Sequence, residues 1–348
     1  MQPLRIAHVG PVATTIPPPK SGSVETMTSL LTEGLVARGH DVTLFATGDS
    51  KTTAKLHALY PHGYHHDGNM WPWELYEMFN LSAALERAAT FDIIHYESLY
   101  YPMSLAFGRL TSTPIVQTIH HAPSPREIAL WSLYPEAAFV AVSDEQARLL
   151  SGLNVVATIL HGVDTDRFVY REHPEDYLLF LGRFTEGKGV LQAIEVAKRV
   201  GVRLVLAAAP DPYYQEHIAP HIDNDLIVYA GEVDFEAKVK LYGGAKALVY
   251  PLQADEPFGL VLVEAMACGT PVAALDRGAV REVVDSGVTG IVYESLAQMI
   301  DQFGRVLALR RRDVREQAVA RFGADRMVDA YVSVYRRLVQ ARRESGGR

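Results

Sequence analysis

Short apolar runs recur along the chain, and longer stretches with helical spacing separate them. Residues 4–9 form an apolar run that stops at Gly10-Pro11, which reads as a buried strand. A loop with Pro17-Pro18-Pro19 and Ser21-Gly22-Ser23 follows. Residues 24–38 then carry apolar positions at helical intervals and stop at Gly39, a C-cap signal. Residues 41–46 give the next strand. Strand, helix, strand at this pitch is the βαβ unit of a parallel sheet. Residues 92–95, 114–119 and 138–142 are further strands, and Ser143 suits the N-cap of a helix opening at Asp144-Glu145.

The alternation then restarts. Residues 177–181 read as a strand, 182–189 as a glycine-rich loop, and the following residues as a helix to about Val200. Residues 202–208, 226–229, 247–250 and 271–274 are later strands. Two successive β/α runs predict an α/β protein of two doubly wound, Rossmann-like domains. The polar, strand-poor segment around Arg171 to Asp176 marks the join, which gives domains over 1–168 and 169–326. Open parallel sheets bind ligands at the carboxyl ends of their strands. A central cleft between two such domains is therefore the expected site.

Composition narrows the class. The chain has 348 residues, 48% of them hydrophobic, enough for two cores. A net charge of −8 argues against a general nucleic-acid binder. The single cysteine, Cys268, lies in an apolar run and reads as a buried core thiol. The start of the sequence enters the first strand without a signal-peptide core, and no apolar run reaches the ~18 residues of a membrane span. These features predict a soluble, cytoplasmic protein without a transmembrane segment.

Three segments carry candidate chemistry. In the first, Gly182-Arg183 and Lys188 lie between a strand and a helix. Backbone amides and the helix dipole favour an anion there, and two cations suit a diphosphate. A turn with solvated charges is the alternative. The second is Glu256-Pro257-Phe258-Gly259-Leu260 with Glu264, inside an apolar run ending at Gly269. Pro257 suits the first turn of a helix, so amides near Phe258 and Gly259 would point outward. A carboxylate in such a run costs several kcal/mol unless it is hydrogen-bonded. A ribose diol would satisfy Glu264, and a sugar hydroxyl would satisfy Glu256; a structural pairing with arginine or backbone is the alternative. The third is His120, at the end of a first-domain strand, either a site residue or a packing one.

Two further groups remain open. Asp164-Thr165-Asp166 has a metal-binding look, but two cations already serve a diphosphate. His57, His62, His65, His66 and Asp67 fit no defined zinc spacing and read as a mobile loop, with Trp71-Pro72-Trp73 beyond it on the acceptor side or in the core.

Taken together, these segments resemble the retaining glycosyltransferases of glycosyltransferase family 4, which have the GT-B fold. Arg38-Gly39-His40-Asp41-Val42, Val140-Ala141-Val142-Ser143 and His161-Gly162-Val163-Asp164 carry part of the resemblance. Gly182-Arg183 with Lys188, and Glu256-Pro257-Phe258-Gly259 with Glu264 through Val272, carry the rest. The resemblance implies a hexosyltransferase. Arg183 and Lys188 would hold the donor diphosphate and Glu264 the ribose. Glu256 would bind the transferred sugar, helped by amides at Phe258, Gly259 and Leu260, and His120 would touch that sugar from the first domain. Gly22 and Ser23 match the loop after the first strand, where the family has two glycines; His161 stands where it has asparagine.

The same resemblance implies retention by same-face transfer, with neither a metal nor a cofactor. It also implies that residues 327–348 form a helix packing back on the first domain. The expected donor is a UDP-sugar, UDP-glucose first, with GDP-mannose behind it. The acceptor would be a small molecule, a glycan or a lipid-linked sugar. A nucleotide-sugar epimerase and a non-catalytic nucleotide-sugar-binding module are the rival readings.

Overall fold

The structure is a computed structural model and describes residues 2–346. The chain divides into two compact units. One runs up to Gly162 and takes in the segment from Ala324 onward; the other is Val163–Gly323.

In the first unit the chain runs through β1 (Arg5–Val9), α1 (Ser23–Ala37), β2 (Asp41–Phe45), β3 (Lys55–His57) and α2 (Trp73–Leu85). It continues through β4 (Ile93–Ser98), β5 (Ile115–Ile119), α3 (Pro125–Trp131), β6 (Ala138–Ala141), α4 (Asp144–Leu149) and β7 (Val155–Thr158). The strands form one seven-stranded sheet in the order β3-β2-β1-β4-β5-β6-β7. Every pairing is parallel. The inner strands are largely buried, and β1, β4 and β5 carry His8, His95, Glu97 and Thr118 into that interior beside their apolar residues. On α1, the spacing of Val24, Met27, Leu31 and Leu35 turns one stripe into the core. Each such side chain contributes roughly 1.5–3 kcal/mol when fully buried.

The second unit holds β8 (Leu178–Leu181), α5 (Val190–Val200), β9 (Leu204–Ala207), β10 (Ile227–Gly231), α6 (Phe235–Gly244) and β11 (Leu248–Tyr250). After these come α7 (Leu260–Ala267), β12 (Val272–Leu275), α8 (Val280–Val283), β13 (Gly290–Tyr293), α9 (Leu296–Asp301), α10 (Gly304–Leu307) and α11 (Arg311–Phe322). Its sheet runs β10-β9-β8-β11-β12-β13. Both sheets therefore step outward through three strands, return to the centre and step out the other way. The crevice where the order reverses is the usual ligand site of such sheets. It lies between β1 and β4 in one unit and between β8 and β11 in the other.

The last helix, α12 (Ala324–Gly346), belongs to the first unit. Arg38 at the end of α1 bonds Asp325 at 2.9 Å and Asp329 at 2.6 Å. Deeper in, the Tyr335 hydroxyl lies 2.7 Å from Nδ1 of His95. The Tyr331 hydroxyl lies 2.9 Å from the Thr118 hydroxyl.

The observed junctions differ from those drawn on the sequence, and hydrogen bonds give the reason. The Val163 amide donates to the Phe322 carbonyl at 2.8 Å, and the Phe168 carbonyl accepts from Arg315 at 2.7 Å. The stretch from Val163 to Phe168 is thus tied to the second unit, although the sequence boundary at 168 assigned it to the first. In the segment read as a mobile loop, His57 ends β3 and residues 58–72 hold no helix or strand, whereas Trp73, read as its continuation, opens α2. Among the described residues no helix is long and apolar enough to cross a membrane.

Candidate functional site

In the second unit, the loops that leave β8 and β11 are joined by hydrogen bonds. The amides of Gln253 and Ala254 both donate to the Gly187 carbonyl, at 2.9 and 3.2 Å. Gly189 caps α5 with a positive φ of 74°. A Cβ there would lie 1.9 Å from the Pro251 carbonyl oxygen, so only glycine fits between the loops. This junction brings Lys188 onto Glu256. The Lys188 ammonium bonds Oε2 of Glu256, and the Tyr250 hydroxyl donates to the same oxygen at 3.1 Å. Burial, and then the Glu256 charge, push the Tyr250 hydroxyl far above the usual tyrosine range.

The backbone of Glu256 is fixed as well. Its carbonyl accepts from the Ala279 amide at 2.8 Å. Gly278, at φ 58°, passes so close that a Cβ would lie 2.4 Å from that carbonyl oxygen. Arg183 is exposed on the first of the two loops and makes no hydrogen bond or ion pair among the described residues.

The helix carrying Glu264 starts later than its proline suggests. Gly259, at φ 90°, is the N-cap of α7, and Leu260 is its first residue. Pro257 therefore precedes the helix instead of opening it. The Phe258 ring is buried against Phe322, with ring centroids 6.1 Å apart. The outward amides of the first turn belong to Leu260 and Val261, because first-turn donors have no acceptor within their own helix. Glu264 lies one turn further along and is 4% exposed.

The pairing of Glu264 corrects a second expectation. The apolar run around it offers no polar partner in sequence, but α6 supplies two in space. The Lys238 ammonium lies 2.6 Å from Oε1, and the Tyr242 hydroxyl donates to Oε2 at 2.9 Å. A nucleotide is therefore not needed to complete this carboxylate. A carboxylate offers about four lone-pair directions, so two remain for a diol.

In the first unit, His120 follows β5 and its Nε2 lies 2.7 Å from Oε2 of Glu97 on β4. The other Glu97 oxygen lies 3.0 Å from Nε2 of His8. The His120 ring stacks on His161 at a centroid distance of 5.3 Å. Burial, with His120 nearby, pushes His161 down to about 3. Gly22 is the N-cap of α1 and Ser23 its first residue. Glu25 in that turn is 4% exposed, and burial raises its carboxyl above the usual range.

The histidine-rich segment does not converge. His62 pairs with Asp49 at 3.0 Å, and His57 meets Arg87 at 3.2 Å. The Asp164 carboxylate accepts from the Asp166 amide at 3.2 Å, as in an ordinary turn. Among the described residues, the cluster with metal-ligand geometry is His8, His95 and Glu97. It is buried, and its ring nitrogens already bond Thr32, Glu97, Thr118 and Tyr335.

The model for glycosyl transferases group 1 matches residues 163–319, the unit holding the two glutamates. The model for Glycosyltransferase Family 4 matches residues 24–167. The chain is a glycosyltransferase of the family 4 type, with the GT-B fold. It is a hexosyltransferase. The glycosyltransferase is 26% identical over 330 residues to glycogen synthase of Mycobacterium tuberculosis, with 79% of each chain covered. It is 28% identical over 329 residues to phosphatidyl-myo-inositol mannosyltransferase of the same organism, with 82% of each covered. Its fold matches the crystal structure of AviGT4, a glycosyltransferase involved in avilamycin A biosynthesis. That match has a TM-score of 0.75 and 26% identity, over 97% of this chain and 98% of that one.

Sequence reasoning missed four residues of this glycosyltransferase's candidate site: Lys238, Tyr242, Tyr250 and Glu97. Lys238 and Tyr242 stand four apart on α6, a spacing that puts both on one face. Glu97 was invisible because β4 was ended at His95, whereas the strand runs on to Ser98.

Proposed function

We propose that the enzyme moves a hexose from a UDP-sugar, UDP-glucose first, to an acceptor hydroxyl with retention and without a metal. The observation that carries this reading is the joined loop pair of the second unit. It gathers Arg183, Lys188, Glu256 and the start of α7, with Glu264 one turn along.

Arg183, Lys188 and the first-turn amides of Leu260 and Val261 bind the diphosphate. The positive helix end and two cations neutralise charge that grows on it as the sugar leaves. One such donor can contribute on the order of 3 kcal/mol. The ribose diol uses the lone pairs of Glu264 that Lys238 and Tyr242 leave open. Glu256, fixed by Tyr250, accepts from sugar hydroxyls, and His120 meets the same sugar. Gly22 and Ser23 are assigned to donor binding. The bond from the anomeric carbon to the phosphate oxygen breaks. A bond to the acceptor oxygen forms on the same face, and the acceptor proton passes to the departing phosphate oxygen.

The acceptor is a hydroxyl of a small molecule, a glycan or a lipid-linked sugar. Trp71, Tyr100 and Tyr101 are exposed in the first unit, where aromatic faces suit a sugar. We assign the enzyme to the cytoplasm, in keeping with its single buried thiol.

The test offers UDP-glucose, UDP-galactose and GDP-mannose, and follows thermal stabilisation and nucleotide release. A donor at 100 times its dissociation constant adds about 2.7 kcal/mol. Stabilisation by a UDP-sugar with nucleotide release supports the reading. A preference for GDP-mannose overturns the donor, and conversion to an isomeric nucleotide sugar overturns the transfer.

A further inference from the structure

We propose that Glu97 is a positioning residue of this enzyme, fixing the His120 ring so that Nδ1 is the nitrogen presented to the hexose. The inference rests on the assignment of His120 to the sugar.

Glu97 sits on β4, the strand next to β5, in register with Thr118. His120 emerges two residues later, beside it. The Glu97 side chain is 2% exposed, and its two oxygens face His120 at 2.7 Å and His8 at 3.0 Å. Burial works to raise this carboxyl, but His95, His120 and His8 together hold it well below the usual range. It is therefore ionised, and an ionised carboxylate only accepts hydrogen bonds. Both histidines must carry a hydrogen on Nε2. The far side of His8 agrees, since its Nδ1 lies 2.7 Å from the Thr32 hydroxyl, which can donate to it.

The His120 ring has little freedom left. Its plane lies within 12° of the His161 plane. The carboxylate then sets the rotation of the ring within that plane, and only Nδ1 remains for a ligand. Fixing the tautomer and orientation of a histidine through its second nitrogen is a familiar use of carboxylates. The neighbours Ile93, Ile94 and Tyr96 on the same strand are buried and apolar. An unpartnered carboxylate among them would be expensive, so the histidine pairings are what keep it there.

The test uses the full chain with Glu97→Gln, His120→Asn, His120→Gln and the double variant Glu97→Gln/His120→Gln. Turnover is read as nucleotide release from UDP-glucose, UDP-galactose and GDP-mannose, with melting temperature beside it. Asparagine places its amide near Nδ1 and glutamine near Nε2, so His120→Asn should keep more turnover than His120→Gln. Glu97→Gln should lower kcat about tenfold in the natural background and less than about twofold beside His120→Gln. An equal loss in both backgrounds would show a merely structural Glu97 and overturn the proposal. Wild-type rates in both His120 variants would instead remove His120 from the sugar. Nitrogen NMR of the unmutated enzyme gives a readout free of folding effects. The proposal expects hydrogen on Nε2 of His120; a tautomer protonated on Nδ1 alone refutes it.

Discussion

The ammonium of Lys238 and the carboxylate of Glu264 form a contact of 2.6 Å between α6 and the buried face of α7. The lysine side chain is 18% exposed and the glutamate 5%. Removing one partner from such a pair leaves a buried charge unmatched. Lys238→Met should destabilise the second unit by about 3 kcal/mol, read from denaturant unfolding. Adding Glu264→Gln to it should recover more than about 1 kcal/mol, because the unmatched charge is then gone. A double variant no more stable than Lys238→Met would show that the pair does not hold the helices together.

The two glutamates should fail in different ways. Glu264→Ala should weaken UDP binding about tenfold or more by calorimetry, from lost charge-assisted hydrogen bonds. Glu256→Ala should leave UDP binding within about threefold, because Arg183, Lys188 and the first turn of α7 remain, while turnover and discrimination among sugar epimers fall. Unchanged donor binding and turnover in both variants would reject the site.

Gly189 is where the two loops of the second unit touch. Gly189→Ala must avoid the Pro251 carbonyl and also abandon a φ of 74°. Strain of this kind costs about 1–3 kcal/mol and would move Lys188 relative to Glu256. Turnover should drop sharply while circular dichroism remains native. Gly201 has a similar φ of 68°, yet nothing lies within 4 Å of its added Cβ. Gly201→Ala should therefore leave turnover near the natural rate.

Burial gives the first unit opposing responses to pH. It pushes His95 and His161 down from 6.5 to about 3, and it pushes Glu77 up from 4.5 to about 8. The unfolded histidines take up protons below 6.5 while the folded ones do not. Stability is therefore lost as pH falls from 6.5 towards 3, by up to about 1.4 kcal/mol per unit for each ring. Glu77 keeps its proton when folded, so stability is lost as pH rises from 4.5 towards 8. Melting temperature should peak near pH 6.5, where protonation of the two unfolded histidines balances ionisation of the one unfolded glutamate. Glu77→Gln should flatten the alkaline side and leave the acid side in place.

Much of the fold could be read from residue patterns because most strands are short apolar runs with glycine or proline nearby. β1, β8 and β12 are of this kind. The pattern does not pick out β3, β7 and β13, which are short edge strands, partly polar or glycine-led. α2 was hidden by its start at Trp71-Pro72-Trp73. The site divides on the same line. Glu256 and Glu264 stand out as acids in an apolar stretch, and Arg183 and Lys188 flank a turn. The partners of these acids come from other elements. Lys238 and Tyr242 are ordinary residues of a polar helix, and Tyr250 ends a strand. Only the packing of α6 on α7, and of one loop on another, makes them neighbours.

Because α12 supplies Tyr331 and Tyr335 to the first unit, that unit is assembled from segments on either side of the second. During synthesis, the hydroxyls that complete Thr118 and His95 emerge from the ribosome after the whole second unit. The unit begun first is therefore completed only after the second, and a fragment stopped at Gly162 would keep the contact between His95 and Thr118 but leave Nδ1 of His95 without the Tyr335 hydroxyl.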